Sequence, residues 1–572
     1  MNLSPEKKIA GVLVPLFALR SENDLGIGDV ASLREFIDWA ADSGFKLVQM
    51  LPINETGGDN SPYNAISAMA IEPTTLHLAP GSPEDLTRDD FDSALADVDL
   101  ARLRRGPVKY GGVKKLKRRL LERAFANFSA HASEDRQSQF EKFSAEEATW
   151  LDDYTLFRAL MEENGESEAW DRWPAEHQTI EQARSWLRDL PQGRPSTLAS
   201  RRDFFRYVQW VAHEQWHEVR SYAGERDVAL MGDIPFGISY YSADVFSRPG
   251  EFALDWSGGA PPEPYFKDDQ FTQKWGQNWG IPLYRWDAMR ANNLTWWRQR
   301  VRGVKRIFHV FRIDHVLGFY RIYSFPWRPA RNKQFLPLEW NQVLERTGGR
   351  LPHFAPRDDS TPQNCEANRH EGEEYLRMVL EESAETHVIG EDLGTVPDYV
   401  RPSLHSLGIA GFKIPQWEVR HERITPGSEY ERLSVATYCT HDHKPLRALW
   451  EEVFEQPTST SDQARFDLLK IAHFAGFDPS AEKIDFDKDF YPAVMKALFQ
   501  SEAWIAVVMI TDLLSRRYRF NVPGTAANTN WTRRMSRTIA QLRASHYTQK
   551  RMNLIRELLE KSGRIQPRID TD

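Results

Sequence analysis

The chain has 572 residues, of which 41% are hydrophobic and 27% charged, with a net charge of −9 at neutral pH. No stretch approaches the roughly 20 uninterrupted apolar residues of a transmembrane helix, so we expect no membrane partner. The negative charge argues against nucleic acid as the main partner. Two cysteines, Cys365 and Cys439, cannot build a disulfide framework, which favours a reducing compartment.

The apolar run near the N-terminus predicts a buried first strand and not a signal peptide. It is only about ten residues long, and charged residues follow it without a small-residue cleavage site. These charged residues are Arg20, Glu22 and Asp24. We therefore expect a cytoplasmic protein.

Eight short apolar runs, rich in β-branched and aromatic residues, alternate with helix-sized segments. Near-continuous apolarity over a short length is typical of parallel strands that are buried on both faces. Eight such strands separated by helices close a (β/α)8 TIM barrel, so the predicted fold class is α/β. The predicted strands are Ile9–Leu16, Phe45–Leu51, Val228–Asp233, Ile307–Ile313, Thr386–Glu391, Ala410–Ile414, Ser434–Thr440 and Ala503–Ile510.

Uneven spacing of these runs predicts a single catalytic barrel over residues 1–572, with three insertions in its βα loops. Residues 52–225 show helical periodicity and predict a mostly helical subdomain, in which the basic run Lys114–Arg119 is expected to be a solvated helix face. Residues 236–300 are expected to be a lid-like loop segment, and residues 326–370 a loop-rich insertion. The βα loops emerge on the catalytic face of a barrel, so these insertions should border the site.

Four predicted strands deliver a carboxylate at their C-terminal ends. These are Asp233 in GDIPFG, Asp314 in FRIDHVLGF, Glu391 in VIGEDLG and Asp442 in YCTHDH. A barrel gathers such residues on one rim, and a retaining glycosidase needs two carboxylates about 5–5.5 Å apart. For any one of the four, a simple helix N-cap is an equally good interpretation.

The neighbours of Asp314 favour catalysis. Arg312 and Asp314 lie two residues apart on a strand and so share a face. The guanidinium would favour the ionised carboxylate that a nucleophile requires. Glu391 would need a drier site or a like-charged neighbour to stay protonated as an acid.

In order and completeness, the motifs of this chain resemble glycoside hydrolase family 77, the amylomaltases or disproportionating enzymes. The matching segments include LGIGDVASLREFIDWAADSGFKLVQMLPI, NSPYNAISAMAIEP, MGDIPFGISYYSADVF, GQNWGIPLYRWDAM, RIDHVLGF, GEDLG, THD and RFNVPGTAANTNW. The resemblance implies a barrel with inserted subdomains and no C-terminal β-sandwich. It also implies 4-α-glucanotransferase activity: retaining transfer of an α-1,4-glucan segment to the 4-hydroxyl of glucose or another glucan. Maltooligosaccharides and α-1,4-glucans would be donor and acceptor, and no metal or organic cofactor would be needed.

The resemblance also implies individual roles. Asp314 resembles the nucleophile, Glu391 the general acid/base, and Asp442 the third carboxylate, which grips sugar hydroxyls. The remaining substrate contacts are implied for Ser61, Tyr63, Asp233, Arg312 and His441, with stacking on the glucan by Phe266 and Trp279.

Three departures from the family pattern leave acceptor preference open. First, the lid-like segment has extra residues between PPE and GQNWG, and Ile281 stands where the family usually has Asn. Second, HKPLR follows THD in place of the more usual NDTT. Third, the insertion Pro326–His370 is longer than in compact bacterial members.

Other functions remain possible on the residues alone. A mainly hydrolytic α-glucosidase or α-amylase-like enzyme would use the same carboxylates, and a non-enzymatic glucan-binding protein would be expected to have lost one of them. Residues 213–217 form HEQWH, which matches the HExxH motif of zinc proteases. No third ligand is evident, so two ordinary helix histidines are favoured. Cys439, beside His441, is more simply a small buried hydrophobe than a thiol nucleophile. Nothing indicates the oligomeric state.

Overall fold

Eight parallel strands form the centre of the molecule. The computed structural model describes residues 3–191, 194–263, 269–455, 460–479, 484–523 and 529–567, with the side chains of 194–196 left out. The strands are β1 (Ile9–Leu13), β2 (Leu47–Gln49), β3 (Ala229–Pro235), β4 (Val310–Asp314), β5 (His387–Gly390), β6 (Gly411–Lys413), β7 (Ser434–Ala436) and β8 (Ile505–Met509). All eight fall at the predicted runs, which confirms the predicted strand content.

The strands close into a barrel. Each strand from β1 to β5 pairs in parallel with the next, as do β6, β7 and β8, and β8 pairs with β1. The remaining seam, between β5 and β6, is bridged where the Gly390 N–H donates to the Ala410 carbonyl at 2.9 Å. The (β/α)8 prediction is therefore confirmed. Because the strands are parallel, their C-terminal ends all open on one rim.

A buried arginine secures the opposite end of the barrel. Arg564, which follows the last described helix, is only 3% exposed. Its guanidinium donates to five backbone carbonyls near the start of β1 and β8, so the segment that follows the helix His546–Lys561 is tied to this end of the barrel. The acceptors are the carbonyls of Ile9, Phe499, Ser501, Ala503 and Trp504.

Helices dominate the chain between β2 and β3. Their bounds are Arg88–Leu95, Leu100–Arg104, Tyr110–His131, Glu134–Glu146, Ala148–Glu163, Ile180–Arg188 and Arg194–Glu225. The expectation of a solvated basic face is wrong at Lys117. This side chain is buried and donates to the carbonyls of Thr74 and Leu76, both at 2.6 Å. Its helix packs against the loop after β2, and the ammonium satisfies carbonyls there.

An antiparallel sheet runs through the segments 236–300 and 326–370, where loops were expected, and through residues 322–325 between them. Its strands, in spatial order, are Gln277–Tyr284, Phe252–Ala260, Ile322–Phe325 and His353–Ala355. The short helices Gln270–Trp275, Asn332–Phe335 and Trp340–Thr347 accompany it. Pairing between such distant segments leaves no local periodicity, which is why the sequence reads as loops. Ile281 holds the sheet to the barrel: a Cβ added at Gly237, just after β3, would lie 2.2 Å from Ile281 Cδ1.

The outer layer consists of further helices. These are Val30–Asp42, Ala243–Ser247, Trp286–Ala291, Thr295–Ile307, Pro362–Ser383, Val400–Ser406, Leu446–Trp450, Asp462–Phe474, Tyr491–Gln500, Ile510–Leu513, Ile539–Ala544 and His546–Lys561; a small hairpin pairs Val419–Arg420 with Arg423–Ile424. In the described residues after β8 every regular element is a helix, as the prediction of no C-terminal β-sandwich requires. None of the described helices is both long and apolar enough to cross a membrane.

Candidate active site

An arginine at the C-terminal end of β4 binds two of the predicted carboxylates. Arg312 Nη1 donates to Asp233 Oδ2 at 2.6 Å, and its Nη2 donates to Asp314 Oδ1 at 2.7 Å. The parallel register sets Asp233 of β3 beside Arg312 of β4. The arginine and Asp233 are almost fully buried, whereas the side chain of Asp314 is 31% exposed. Asp314 is thus held from inside the barrel, while part of its side chain stays exposed at the rim.

Glu391 directly follows β5, on the strand next to Asp314. Ile313 pairs with Gly390, so the two carboxylates occupy equivalent positions on neighbouring strands, which lie about 4.8 Å apart. The backbone N–H of His315 donates to Glu391 Oε2 at 2.8 Å. Burial raises the pKa of Glu391 to about 8; the charge of Arg312 opposes this shift, and that of Asp314 adds to it. The raised pKa favours the protonated form of Glu391, one strand away from a carboxylate that is paired with Arg312.

Tyr63, in the loop after β2, joins this cluster to the loop after β7. Its hydroxyl donates to Asp233 Oδ2 at 2.6 Å, and its ring stacks on that of His441 with centroids 4.9 Å apart. Burial raises the pKa of Tyr63 well above its usual range, so the hydroxyl keeps its proton. Ser61 supports the turn, because its Oγ accepts from the Tyr63 N–H at 3.3 Å.

Asp442 is bound from both sides. His441 Nε2 lies 3.2 Å from Asp442 Oδ2, and Asn521 Nδ2 donates to Asp442 Oδ1 at 2.6 Å. Arg519 donates to the backbone carbonyl of Asp442. Burial acts to raise the pKa of Asp442. The charge and hydrogen bond of His441 and the hydrogen bond of Asn521 outweigh it, and the pKa lies well below the usual range. Asp442 is thus a permanent negative charge in the site.

Sequence reasoning missed Arg519 and Asn521. Both lie in RFNVPGTAANTNW, a motif that was noted without any role for its residues. The available signal was position: the motif begins ten residues after β8 ends, where a barrel chain is still on its catalytic face.

Trp279 lies at the same rim. It belongs to the strand Gln277–Tyr284 and is 40% exposed. Its ring meets the edge of His315, with centroids 4.8 Å apart and planes at 84°. An exposed indole beside the residue that binds Glu391 could stack on a sugar. The second predicted platform, Phe266, lies outside the described residues.

The HExxH segment lies away from this rim, on the helix Arg194–Glu225. His213 is buried, and burial lowers its pKa to about 4. Glu214 binds Arg136 at 2.8 Å. Over the described residues no group of three or more His, Cys, Asp or Glu side chains could hold a metal ion. The HExxH residues therefore serve to pack this helix against its neighbours. Cys439 is also buried, and its thiol donates to Asp512 Oδ2 at 2.9 Å.

Known proteins resemble the chain along its length. The sequence pattern of glycoside hydrolase family 77, described as 4-alpha-glucanotransferase, matches residues 14–540. A 4-alpha-glucanotransferase of Chlamydia pneumoniae is 29% identical over 93% of this chain and 92% of its own; one of Aquifex aeolicus is 28% identical over 97% and 99%. The amylomaltase of Streptococcus agalactiae, solved with acarbose, superposes with a TM-score of 0.72 over 98% of this chain and all of its own, at 21% identity. The chain belongs to glycoside hydrolase family 77, the 4-α-glucanotransferases.

Proposed function

We propose that the chain transfers α-1,4-glucan segments by a retaining double displacement, with Asp314 as nucleophile and Glu391 as general acid/base. The observation that carries this assignment is the contrast between two carboxylates on neighbouring strands. Asp314 is ion-paired with Arg312 at 2.7 Å, whereas Glu391 has a pKa raised to about 8 by burial. An acid kept protonated by burial, beside a carboxylate paired with an arginine, is what acid and nucleophile roles demand.

In the first step an oxygen of Asp314 attacks the anomeric carbon of the donor. Arg312 occupies Oδ1, which leaves Oδ2 as the attacking atom. The glycosidic C–O bond breaks, and the Glu391 proton moves to the departing oxygen. The products are a glucosyl ester on Asp314 and a shortened glucan that leaves the site. Asp442, kept ionised by His441 and Asn521, stabilises positive charge on the sugar ring in the transition state.

In the second step Glu391 acts as base. Formation of the ester removes the negative charge of Asp314, one of the groups that raise the pKa of Glu391. The pKa of Glu391 therefore falls in the intermediate, and the group becomes stable as a carboxylate. It takes the proton of an acceptor 4-hydroxyl, the new glycosidic bond forms and the ester bond breaks. Two inversions retain the α configuration.

We propose maltooligosaccharides and soluble α-1,4-glucans as both donor and acceptor. The supporting features are the exposed Trp279 beside His315 and the ring of Tyr63 beside His441. Such faces hold an amphipathic sugar ring in register, so that a 4-hydroxyl competes with water.

We further propose that residues 1–572 act as one catalytic unit in the cytoplasm, without nucleic acid or membrane partners. The two unpaired cysteines support this location, and fractionation of the native cell would test it.

The experiment is a comparison of Asp314→Asn and Glu391→Gln with the wild type on maltotriose. Each should lose at least about 10³-fold in kcat, because each group takes part directly in bond formation or proton transfer. With an activated donor such as α-maltosyl fluoride, whose leaving group needs no acid, Glu391→Gln should accumulate a covalent maltosyl adduct on Asp314. Peptide mass spectrometry detects that adduct.

Glu373→Gln is the matched control. Glu373 is a buried carboxylate between two outer helices, where Ser403 and Arg369 donate to it. This variant should keep wild-type kcat. Near-wild-type turnover in either active-site variant, or an adduct on another residue, would contradict the assignment.

A further inference from the structure

A buried carboxylate next to the site has no part in the mechanism above. Asp512 lies in the short helix Ile510–Leu513, directly after β8, and is 3% exposed. Its Oδ1 accepts from the backbone N–H of Leu446 at 2.7 Å, and its Oδ2 accepts from the thiol of Cys439 at 2.9 Å. Both carboxylate oxygens are thus used, one by the backbone and one by a side chain.

The two donors bracket one loop. Cys439 precedes and Leu446 follows residues 440–445, the segment that carries His441 and Asp442. A single rigid carboxylate therefore ties both ends of this loop to the end of β8. The span between the anchors is only six residues, so a shift at either end must move the Asp442 side chain.

The partners of Asp442 come from the same stretch of chain. Arg519 and Asn521, which bind the backbone and the carboxylate of Asp442, follow Asp512 by seven and nine residues. The chain leaving β8 therefore supplies both the carboxylate of Asp512 that holds the two ends of the loop and the groups that bind Asp442. The loop also has one contact of its own: the Thr440 N–H donates to His443 Nδ1 at 3.0 Å.

Burying Asp512 costs more free energy than burying an apolar residue at the same position would. Burial raises its pKa to about 6, and the two groups that donate to it are both neutral. A buried carboxylate without a cationic partner costs more than an apolar side chain of the same size. The nearby cation, Arg519, is directed to Asp442 and Asn521 instead. Packing alone therefore does not account for a carboxylate at this position, whereas its hydrogen bonds to both ends of the loop do.

We propose that Asp512 is a positioning residue for glucan transfer, which fixes both ends of the loop 440–445 and so aims Asp442 at the sugar. The proposal rests on the proposed function, since it takes Asp442 to act on the substrate. Asp442 stabilises the transition state more than the bound ground state. A loosened loop should therefore lower kcat with little change in KM.

The test compares Asp512→Ala with Asp512→Asn. The alanine variant leaves both donors without an acceptor, and its kcat on maltotriose should fall at least about 30-fold with KM within about threefold. The asparagine oxygen can still accept from Leu446, so Asp512→Asn should keep kcat within about fivefold of the wild type. If Asp512→Ala does not fold, Cys439→Ala replaces it. That variant removes one anchor only and should lower kcat about three- to tenfold, again at constant KM.

Hydrogen exchange supplies a readout that does not depend on turnover. The amide of Leu446 should exchange at least about tenfold faster in Asp512→Ala than in the wild type. Wild-type kcat in Asp512→Ala or in Cys439→Ala, or unchanged exchange at Leu446, would overturn the proposal. If instead the wild type makes no longer glucans from maltotriose, the proposed function fails, and the exchange result still decides whether Asp512 anchors the loop. Glu373→Gln is the control, expected to lower stability and leave both readouts unchanged.

Discussion

Replacing Glu391 by glutamine should abolish transfer and, at the same time, stabilise the fold by an amount that grows with pH. The pKa of Glu391 is about 8 in the folded protein, against an ordinary value of 4.5. Between these values the folded state binds more protons than the unfolded state, so the free energy of unfolding falls as the pH rises. The contribution of Glu391 is fully present below pH 4.5 and is lost as the pH rises through about 8. Glutamine has no proton to lose.

The magnitude follows from the two pKa values. One pKa unit corresponds to about 1.4 kcal/mol. The free energy of unfolding of the wild type should therefore be lower than that of Glu391→Gln by at most about 3 kcal/mol at pH 7 and by at most about 5 kcal/mol above pH 9. Below pH 4.5 the two proteins should be equally stable. A difference in unfolding free energy that grows with pH in this way is specific to a buried acid whose pKa is raised by folding.

Urea unfolding, followed by the fluorescence of the 19 tryptophans, measures this difference at pH 5, 7 and 9. The control Glu373→Gln should give a stability difference of the opposite sign, with the wild type more stable than the variant. Burial acts to raise the pKa of Glu373, but Ser403, Arg369 and Arg377 lower it overall. Its charge thus stabilises the fold above pH 4.5, and this stability is lost as the pH falls. Coincident midpoints of wild type and Glu391→Gln across this range would refute the reasoning.

Three further outcomes follow from single contacts. The alkaline limb of kcat/KM on maltotriose should have an apparent pKa of about 8, because Glu391 must be protonated to act first as an acid; a limb near pH 5 would contradict this. Tyr63→Phe removes the hydroxyl that donates to Asp233 and should lower kcat about tenfold, the value of one such bond. An unchanged rate would remove Tyr63 from the site. Arg564→Ala strips the donors from five barrel carbonyls and should cost at least about 3 kcal/mol of unfolding free energy, with kcat unchanged. Urea unfolding measures that cost, and equal midpoints would contradict it.

Much of the barrel was predictable because parallel strands that are buried on both faces leave continuous apolar runs. The runs at Ile9–Leu16 and Ala503–Ile510 contain β1 and β8. The carboxylates at strand ends were predictable for a related reason: a barrel sends every C-terminal end to the same rim. Asp314 and Glu391 therefore had to meet once the strands were assigned.

Features that depend on contacts between distant segments were not predictable. The strand Phe252–Ala260 pairs with Ile322–Phe325, which pairs in turn with His353–Ala355, and no local pattern reports such pairing. Lys117 looked solvated because helical periodicity does not show a carbonyl-lined loop packed against it. The role of Asn521 required knowing that the chain after β8 returns to Asp442.

Incubation of the wild-type protein with maltotriose, following free glucose and the whole chain-length distribution, tests the central claim most directly. The proposed double displacement predicts glucose together with a ladder of longer maltooligosaccharides, because a sugar 4-hydroxyl accepts the segment held on Asp314. Glucose and maltose without longer products would mean that water takes the second step, and would contradict the assignment of this site to transfer.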